Sequence, residues 1–252
     1  MIVTTDHGPV RELRLDRPPA NALSPDLVAA LSAAIQGAPE DGARAVVLSG
    51  APGMFSAGLD VPHLLNLDRP AIRDSWKSFY GLMRAIAASP VPMAAAVTGH
   101  APAGGAVISL FCDYRVMVEG DAKIGLNEVQ VGIPLPPVIL HALRRLVGAH
   151  RAERLATGAV LLPAAEAQRV GFVDELAPQD QVIPRAVEWC QRLVALPSQA
   201  LSETRRNARA DLVDLFDKAG ESEIDLVAGF WFSSETQAAL RALVERLAKR
   251  RG

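Results

Sequence analysis

The segment GHAPAGGAVISLFCDYRV, residues 99–116, gives the strongest indication of the fold of this chain. Gly104 and Gly105 lie between an apolar run typical of a buried strand and an apolar run typical of a short helix. Glycine permits positive φ and a close approach of the backbone to a ligand. The first turn of a helix has unpaired N–H groups at the positive end of its dipole, so it suits a developing negative charge. Tight packing of the helix on the strand would account for these glycines equally well.

On both sides of this segment the pattern alternates between strands and helices, and then becomes helical. Strands are predicted at residues 10–15, 45–49, 93–98 and 114–118, and helices at residues 25–35, 71–88 and from 104 onward. Ser24 is a good N-cap with Pro25 at the first helical position. From about Pro136 the chain reads as successive helices. This order predicts an α/β core at residues 1–197 and a C-terminal helical region at residues 198–252. That region would pack on its own core or on a neighbouring subunit.

Two more segments contain residues that could take part in binding or catalysis. FSAGLD (residues 55–60) is a turn of small residues that can expose the Ala57 N–H, although a plain loop capped by Asp60 is the alternative. AKIGLNEVQVGIP (residues 122–134) contains Glu128, which in isolation would be read as a surface glutamate on a loop.

Together with RPPANALS (residues 17–24), these segments resemble the enoyl-CoA hydratase/isomerase family, also called the crotonase family. The stretches PAGG, CDYR and IGLNE and the tail SSETQAALRALVERLAKR are most similar to its mitochondrial-type Δ3,Δ2-enoyl-CoA isomerases. The resemblance implies the crotonase fold, an α/β spiral of ββα units with a C-terminal helical region. It also implies a homotrimer or a dimer of trimers, with that helical region at the subunit contacts.

The resemblance further implies a set of site residues. In the family, one backbone N–H from each of the two small-residue segments forms an oxyanion hole for the thioester carbonyl. These donors correspond to Ala57 and Gly104. Ala103 stands where the family commonly has glycine, a mild change if its φ is negative. The residues implied to contact an acyl-CoA substrate are Ala57, Gly58, Leu59, Asp60, Val61, Gly104 and Asn127.

The number of glutamates distinguishes between reactions of the family. Members that add water carry two, and the first falls on Val107 here, which leaves Glu128 alone. One carboxylate suffices to move a proton from C2 to C4, whereas hydration needs two in this family. IPLPPVILHAL (residues 133–143) also replaces a glycine-rich hydratase segment and predicts a drier acyl pocket. We therefore expect isomerisation of cis- or trans-3-enoyl-CoA to trans-2-enoyl-CoA in fatty acid β-oxidation. The alternative is another reaction of the family, such as weak hydration of a short or branched acyl-CoA.

Composition argues against other classes of function. The formal net charge is −2 and only four residues are lysine, which disfavours nucleic-acid and anionic-membrane partners. The longest apolar runs are too short or too broken by proline to span a bilayer, and no leader pattern opens the chain, so a cytoplasmic protein is predicted. Cys112 and Cys190 are expected to be buried free thiols. The resemblance requires no metal and no cofactor, since coenzyme A is part of the substrate. RNA binding and a catalytically silent paralogue remain the alternatives from other classes.

Overall fold

The computed structural model describes residues 1–249, so the last three residues of the predicted helical region lie outside the described part. The strands are β1 (Ile2–His7), β2 (Val10–Leu15), β3 (Ala45–Ser49), β4 (Gly53–Met54), β5 (Met93–Val97), β6 (Gly99–Pro102), β7 (Tyr114–Val118), β8 (Lys123–Gly125), β9 (Leu162–Pro163) and β10 (Glu175–Ala177). The helices are α1 (Pro25–Glu40), α2 (Val61–Leu64), α3 (Arg69–Ala87), α4 (Gly104–Leu110), α5 (Pro137–Val147), α6 (Ala149–Thr157), α7 (Ala164–Arg169), α8 (Val182–Val194), α9 (Ser198–Ala208), α10 (Ala210–Trp231) and α11 (Ser234–Lys249), with a 3-10 helix η1 (Glu128–Val131).

The strands form two sheets. The larger sheet has the order β1-β2-β3-β5-β7-β10 and is parallel except for the β1–β2 pair. The smaller sheet has the order β4-β6-β8-β9, in which β4, β6 and β8 are parallel to one another. Strands β3 and β5 are buried along their whole length, as expected for parallel strands covered on both faces.

Alternate residues of the central strands belong to different hydrophobic cores. Met93, Ala95 and Val97 of β5 pack in the core that contains α1, α3 and α4. Ala94 and Ala96 pack in the core that contains α8. Since successive side chains of a strand point to opposite faces, the larger sheet is a layer between these two sets of helices.

The C-terminal helices pack on the same chain. Helix α10 contacts α3 and α5, and α11 contacts η1 and α2. Arg205 and Arg209 of this region each bind the Asp113 carboxylate, at 2.8 Å. Of the two packing arrangements left open by the sequence, docking on the chain's own core is therefore present. The role of this region in trimerisation remains a prediction.

Most of the long elements agree with the sequence-based expectations. The four predicted strands and three predicted helices are all present, and the Ser24 hydroxyl caps α1 by accepting a hydrogen bond from the Leu27 N–H at 3.3 Å. Helix α3 begins at Arg69, two residues before the predicted start. The short strands of the smaller sheet and β10 were not predicted, because two to four residues are too few to display a periodicity. The expectation of successive helices from about Pro136 is therefore wrong at β9 and β10. Strand β1 was not predicted either.

Candidate active site

Three loops meet at one edge of the smaller sheet. The segment Phe55–Asp60 follows β4, Ala103 and Gly104 follow β6, and Asn127 and Glu128 follow β8. Since these strands are parallel neighbours, their carboxyl ends point the same way and lie about 5 Å apart. The Ala103 N–H also donates to the Gly125 carbonyl at 2.9 Å, which joins the second loop to the third. The candidate oxyanion loops and the candidate base are therefore brought together by strand pairing.

The backbone hydrogen bonds of the first loop contradict one of the two predicted oxyanion donors. The Ala57 N–H donates to the Ala20 carbonyl at 2.9 Å, so it is not available to a ligand and the prediction of Ala57 as an oxyanion donor is wrong. The Gly58 N–H is directed at the Ser56 hydroxyl at 3.2 Å. Within residues 1–249, the Leu59 N–H has no hydrogen-bond acceptor. The available donor is therefore two residues further along the chain than expected.

Gly58 and Gly104 allow the first two loops to approach each other closely. A Cβ atom built on Gly104 would lie 3.1 Å from Gly58 Cα and 3.3 Å from the Leu59 nitrogen. A Cβ atom built on Gly58 would lie 2.9 Å from the Gly104 nitrogen, and Gly58 also has φ +85°, which disfavours any other residue. The Gly104 N–H opens helix α4 and finds no acceptor in the described part of the chain. The Leu59 and Gly104 N–H groups are thus neighbours at the positive end of a helix.

The RPPANALS segment fixes the shape of the first loop. The buried Asn21 side chain donates to the Phe55 carbonyl at 3.1 Å, and the Asn21 carbonyl accepts from the Ser56 hydroxyl at 2.8 Å. Arg17 pairs with Asp60 at 2.6 Å, and the other Asp60 oxygen caps α2 by accepting from the His63 N–H. The Asp60 carboxylate is therefore engaged in holding the loop. Asp60 was predicted to contact substrate, but its side chain stabilises the conformation of the first loop.

Ala103 has an unexpected backbone conformation. Its φ is +47° and its ψ is −123°, so the condition under which alanine would be a mild change from glycine is not met. The reason is the connection it makes, because β6 ends at Pro102 and α4 begins at Gly104, so the chain must change direction at this one residue. An L-residue in such a region costs of the order of 1–3 kcal/mol, which glycine avoids.

We expect the substitution Ala103→Gly to raise the free energy of unfolding by about 1 kcal/mol. The relief of backbone strain exceeds the extra entropy that glycine brings to the unfolded chain. Urea denaturation would measure the change. Ala106→Gly is the matched control in the same helix and should destabilise by about 1 kcal/mol. Equal losses for both variants would show that Ala103 is not strained.

Among the residues of the three loops, Glu128 has the most strongly shifted pKa. Burial raises the pKa of its carboxyl from 4.5 to about 7, and its own backbone N–H opposes the shift. Its Oε2 atom is buried and has no hydrogen-bond partner among the described residues, and the same is true of Asn127 Oδ1. These two buried oxygen atoms are therefore available for interactions with a substrate. A carboxyl group with a pKa near neutrality is suited to accept and return a proton.

No second carboxylate is available to assist Glu128 among the buried residues of the described chain. Val107 lies in the first turn of α4 and is buried. Besides Glu128, whose Oε2 atom is buried, the acidic residues that are almost fully buried are Glu12 and Asp60, and both are engaged. Glu12 binds the Ser49 hydroxyl at 2.6 Å and His7 at 2.9 Å, and Asp60 holds the first loop as described. Residues 1–249 also contain no cluster of three His, Cys, Asp or Glu side chains that could hold a metal ion.

A narrow apolar crevice lies beside the first loop. Its walls come from that loop, from α1 and α2, and from one face of α3, and they are formed by Leu23, Pro25, Val28, Leu59, Leu64, Ile72, Ser75, Trp76 and Phe79. Trp76 and Phe79 are buried and make an edge-to-face contact, with ring centroids 6.2 Å apart. The predicted substrate residue Leu59 is in this wall, and Val61 is half-buried at the start of α2. The crevice suits an unbranched apolar group.

Comparison with known proteins identifies what this arrangement resembles. A family model described as enoyl-CoA hydratase/isomerase matches residues 5–250. Human mitochondrial enoyl-CoA delta isomerase 1 is 30% identical over 100% of this chain and 85% of its own length. A probable enoyl-CoA hydratase of Mycobacterium avium is 32% identical over 79% of this chain and 77% of its own length. The crystal structure of human mitochondrial Δ3,Δ2-enoyl-CoA isomerase superposes with a TM-score of 0.95 at 29% identity, covering 100% of this chain and 99% of that one.

Proposed function

The chain belongs to the enoyl-CoA hydratase/isomerase family, and from this premise we propose that it isomerises 3-enoyl-CoA thioesters to trans-2-enoyl-CoA in the breakdown of unsaturated fatty acids. The family resemblance and the crotonase fold expected from the sequence are both confirmed. Members of the family bind acyl-CoA, and coenzyme A enters the proposal as part of the substrate. The observation that carries the proposal is a carboxyl group with a buried, unpartnered Oε2 atom, on a loop whose strand pairs with the strand before Gly104; within residues 1–249 the Leu59 and Gly104 N–H groups have no acceptor.

The first step of the proposed mechanism is removal of a proton from C2. A proton between a thioester carbonyl and a β,γ double bond is too weakly acidic for an ordinary carboxylate in water. The Leu59 and Gly104 N–H groups would stabilise the negative charge on the thioester oxygen of the dienolate. Each donor of this kind is worth about 10²–10³ in rate. Burial makes Glu128 a stronger base than an exposed glutamate, because it disfavours the ionised carboxylate.

The second step returns the same proton to C4. The Glu128 carboxyl, now protonated, donates to C4 and the double bond moves into conjugation with the carbonyl. The apolar Val107 side chain can neither orient nor deprotonate a water molecule. The absence of an accessory carboxylate in the described site therefore favours isomerisation over hydration.

Hydration of a short or branched acyl-CoA is the second candidate, since several relatives are named probable enoyl-CoA hydratases. Incubation with 3-hexenoyl-CoA, followed by identification of the product by NMR, distinguishes the two. The proposal predicts trans-2-hexenoyl-CoA. Recovery of unchanged 3-hexenoyl-CoA, together with conversion of crotonyl-CoA to its 3-hydroxy product, would establish the alternative.

The isomerase activity should depend on the ionisation of Glu128. The base must be deprotonated in the free enzyme, so kcat/KM is expected to rise with pH and reach half its maximum near the Glu128 pKa of about 7. A profile measured with 3-hexenoyl-CoA tests this. A midpoint near 4.5, the ordinary value for glutamate, would indicate either an exposed carboxylate or a different base.

The crevice beside Leu59 is proposed to take the acyl chain, and Trp76 is expected to limit its length. Trp76→Leu would open space beyond the first loop. Burial of each additional methylene is worth about 0.8 kcal/mol, so a substrate two methylenes longer should gain about tenfold in kcat/KM relative to wild type. Trp189→Leu, on the remote helix α8, is the matched control and should leave the preference unchanged. An unaltered chain-length preference in Trp76→Leu would place the acyl chain elsewhere.

The assembly and location of the enzyme complete the proposal. A homotrimer or dimer of trimers is proposed from the family resemblance, and light scattering of the purified protein measures it. A cytoplasmic location is proposed as well. None of the helices in residues 1–249 combines the length and the apolar character required to cross a bilayer.

A further inference from the structure

We propose that Thr236 is a positioning residue for Glu128, because its hydroxyl fastens helix α11 to the 3-10 turn that carries the catalytic carboxyl group. The inference rests on the proposed role of Glu128 as the proton carrier. It assigns to the C-terminal region a task within its own subunit, separate from any subunit contact.

The contact is a single directed hydrogen bond at the end of the turn. The Thr236 hydroxyl donates to the Gly132 carbonyl at 2.9 Å, and Thr236 is 1% exposed. Gly132 ends η1 with φ +75°, and its N–H returns to the Val129 carbonyl. The Ile133 N–H then reaches the Glu128 carbonyl at 3.2 Å and closes the turn. The hydroxyl is thus bonded to the residue that sets how the Glu128 turn closes.

Ser233 fixes the direction in which the Thr236 hydroxyl donates. The Ser233 hydroxyl donates to Thr236 Oγ1 at 2.9 Å, and Ser233 Oγ accepts from the Thr236 N–H at 3.1 Å. Because Thr236 Oγ1 is already an acceptor from Ser233, its own proton is available for the Gly132 carbonyl. Ser233 therefore caps the start of α11 and also orients the Thr236 hydroxyl towards the Gly132 carbonyl.

Close packing at Gly132 makes this contact sensitive to small shifts. A Cβ atom built on Gly132 would lie 2.6 Å from Thr236 Oγ1 and 3.1 Å from Thr236 Cα. The turn and the helix are in direct contact, with no room for a side chain between them. Gln130 fixes the other side of the same turn by donating to the Ala159 carbonyl at 3.1 Å. Loss of the Thr236 hydroxyl would leave the turn held mainly from the side away from α11.

The contact between Thr236 and Gly132 is expected to affect how well the Glu128 carboxyl is shielded from water. Burial is the sole cause that raises the pKa of Glu128, and no charged side chain of the described residues contributes to the shift. Helix α11 packs against η1, which begins at Glu128, and against α2, which follows directly after the first loop. Loosening of α11 from the turn would admit water, and the carboxyl would then titrate closer to its ordinary value.

The test compares Thr236→Val with wild type in the full-length protein. We expect kcat for 3-hexenoyl-CoA to fall by about 10-fold to 10²-fold, since misplacement by about 1 Å has effects of this size. We also expect the midpoint of the pH–rate profile to move below 7, towards 4.5. Thr236→Ser retains the hydroxyl and should restore both quantities. An unchanged kcat, or a lower kcat with an unshifted midpoint, would overturn the inference.

Two controls separate positioning from general damage. Thr157→Val removes a threonine hydroxyl that donates to the Glu153 carbonyl on α6, and it should change neither quantity. If Thr236→Val does not fold, Ser233→Ala serves in its place, and a wild-type profile for that variant would overturn the inference.

Titration of Glu128 by NMR of glutamate-labelled protein without substrate gives a readout that is independent of turnover. If wild type fails to isomerise 3-enoyl-CoA, the proposed function fails, while the titration still decides the role of Thr236. A shift towards 4.5 in Thr236→Val supports that role, and equal titration of Glu128 in both proteins contradicts it.

Discussion

Replacing Glu128 with glutamine is expected to reduce kcat for the isomerisation of 3-hexenoyl-CoA by about 10²-fold to 10⁴-fold, with little change in KM. Glutamine has nearly the same shape as glutamate but cannot accept the C2 proton. The N–H groups of Leu59 and Gly104 are untouched, so substrate binding should persist. The rate is followed by the absorbance of the conjugated thioester. Glu119→Gln, at an exposed position after β7, is the control and should retain full activity.

The same substitution should make the folded protein more stable in alkaline solution. A carboxyl whose folded pKa of about 7 lies above the ordinary 4.5 opposes folding when pH is above 4.5, because ionisation is easier in the unfolded chain. The difference is worth up to roughly 3 kcal/mol above pH 7 and vanishes below pH 4.5. Glu128→Gln should therefore unfold at higher urea concentration than wild type at pH 8 and at a similar concentration at pH 4. A variant that loses activity without this gain would indicate that Glu128 is not desolvated.

Replacing Asp113 with alanine is expected to lower the free energy of unfolding by about 3–5 kcal/mol. Its carboxylate accepts hydrogen bonds from Arg205, from Arg209 and from the Met93 N–H at 2.7 Å. Arg209 is 9% exposed, and burial lowers the pKa of its guanidinium, so its positive charge is unfavourable there unless a carboxylate lies beside it. Without Asp113, two arginines would be left facing each other in a dry site.

Chemical denaturation measures this loss, and Glu166→Ala provides the comparison. Glu166 pairs with Arg169 on the exposed surface of α7, so its removal should lower the free energy of unfolding far less than the removal of Asp113. Limited proteolysis should also release the helices from Ser198 onward earlier in Asp113→Ala than in wild type, because Arg205 and Arg209 fasten them to the core. Equal destabilisation by the two substitutions would show that the Asp113 cluster adds little beyond a surface pair.

The features that the sequence predicts well are those determined by neighbouring residues. Ser24 and Pro25 define the start of α1 by local capping chemistry, and the apolar run at 45–49 is a buried strand. The placement of Val107 in α4 and of Glu128 directly after β8 follows from single short segments, while the role of Glu128 stays a prediction. The family and the fold followed from the order of these motifs and are confirmed.

The features that the sequence did not predict depend on contacts between distant segments. The Ala57 N–H is occupied because the loop before α1 places the Ala20 carbonyl against it, and nothing within FSAGLD reveals that contact. Gly58 was the available signal, since a left-handed residue at +85° turns the chain before Leu59. The φ of Ala103 is likewise set by the junction of β6 with α4, and the bond from Thr236 to Gly132 spans over a hundred residues.

The most direct test of the account is the fate of solvent oxygen during turnover. Wild-type enzyme is incubated with 3-hexenoyl-CoA, and separately with crotonyl-CoA, in water enriched in heavy oxygen, and the acyl products are analysed by mass spectrometry. Catalysis by Glu128 alone predicts rapid formation of unlabelled trans-2-hexenoyl-CoA and little or no labelled 3-hydroxybutyryl-CoA. Rapid formation of the labelled hydroxy product, with 3-hexenoyl-CoA left unchanged, would contradict it.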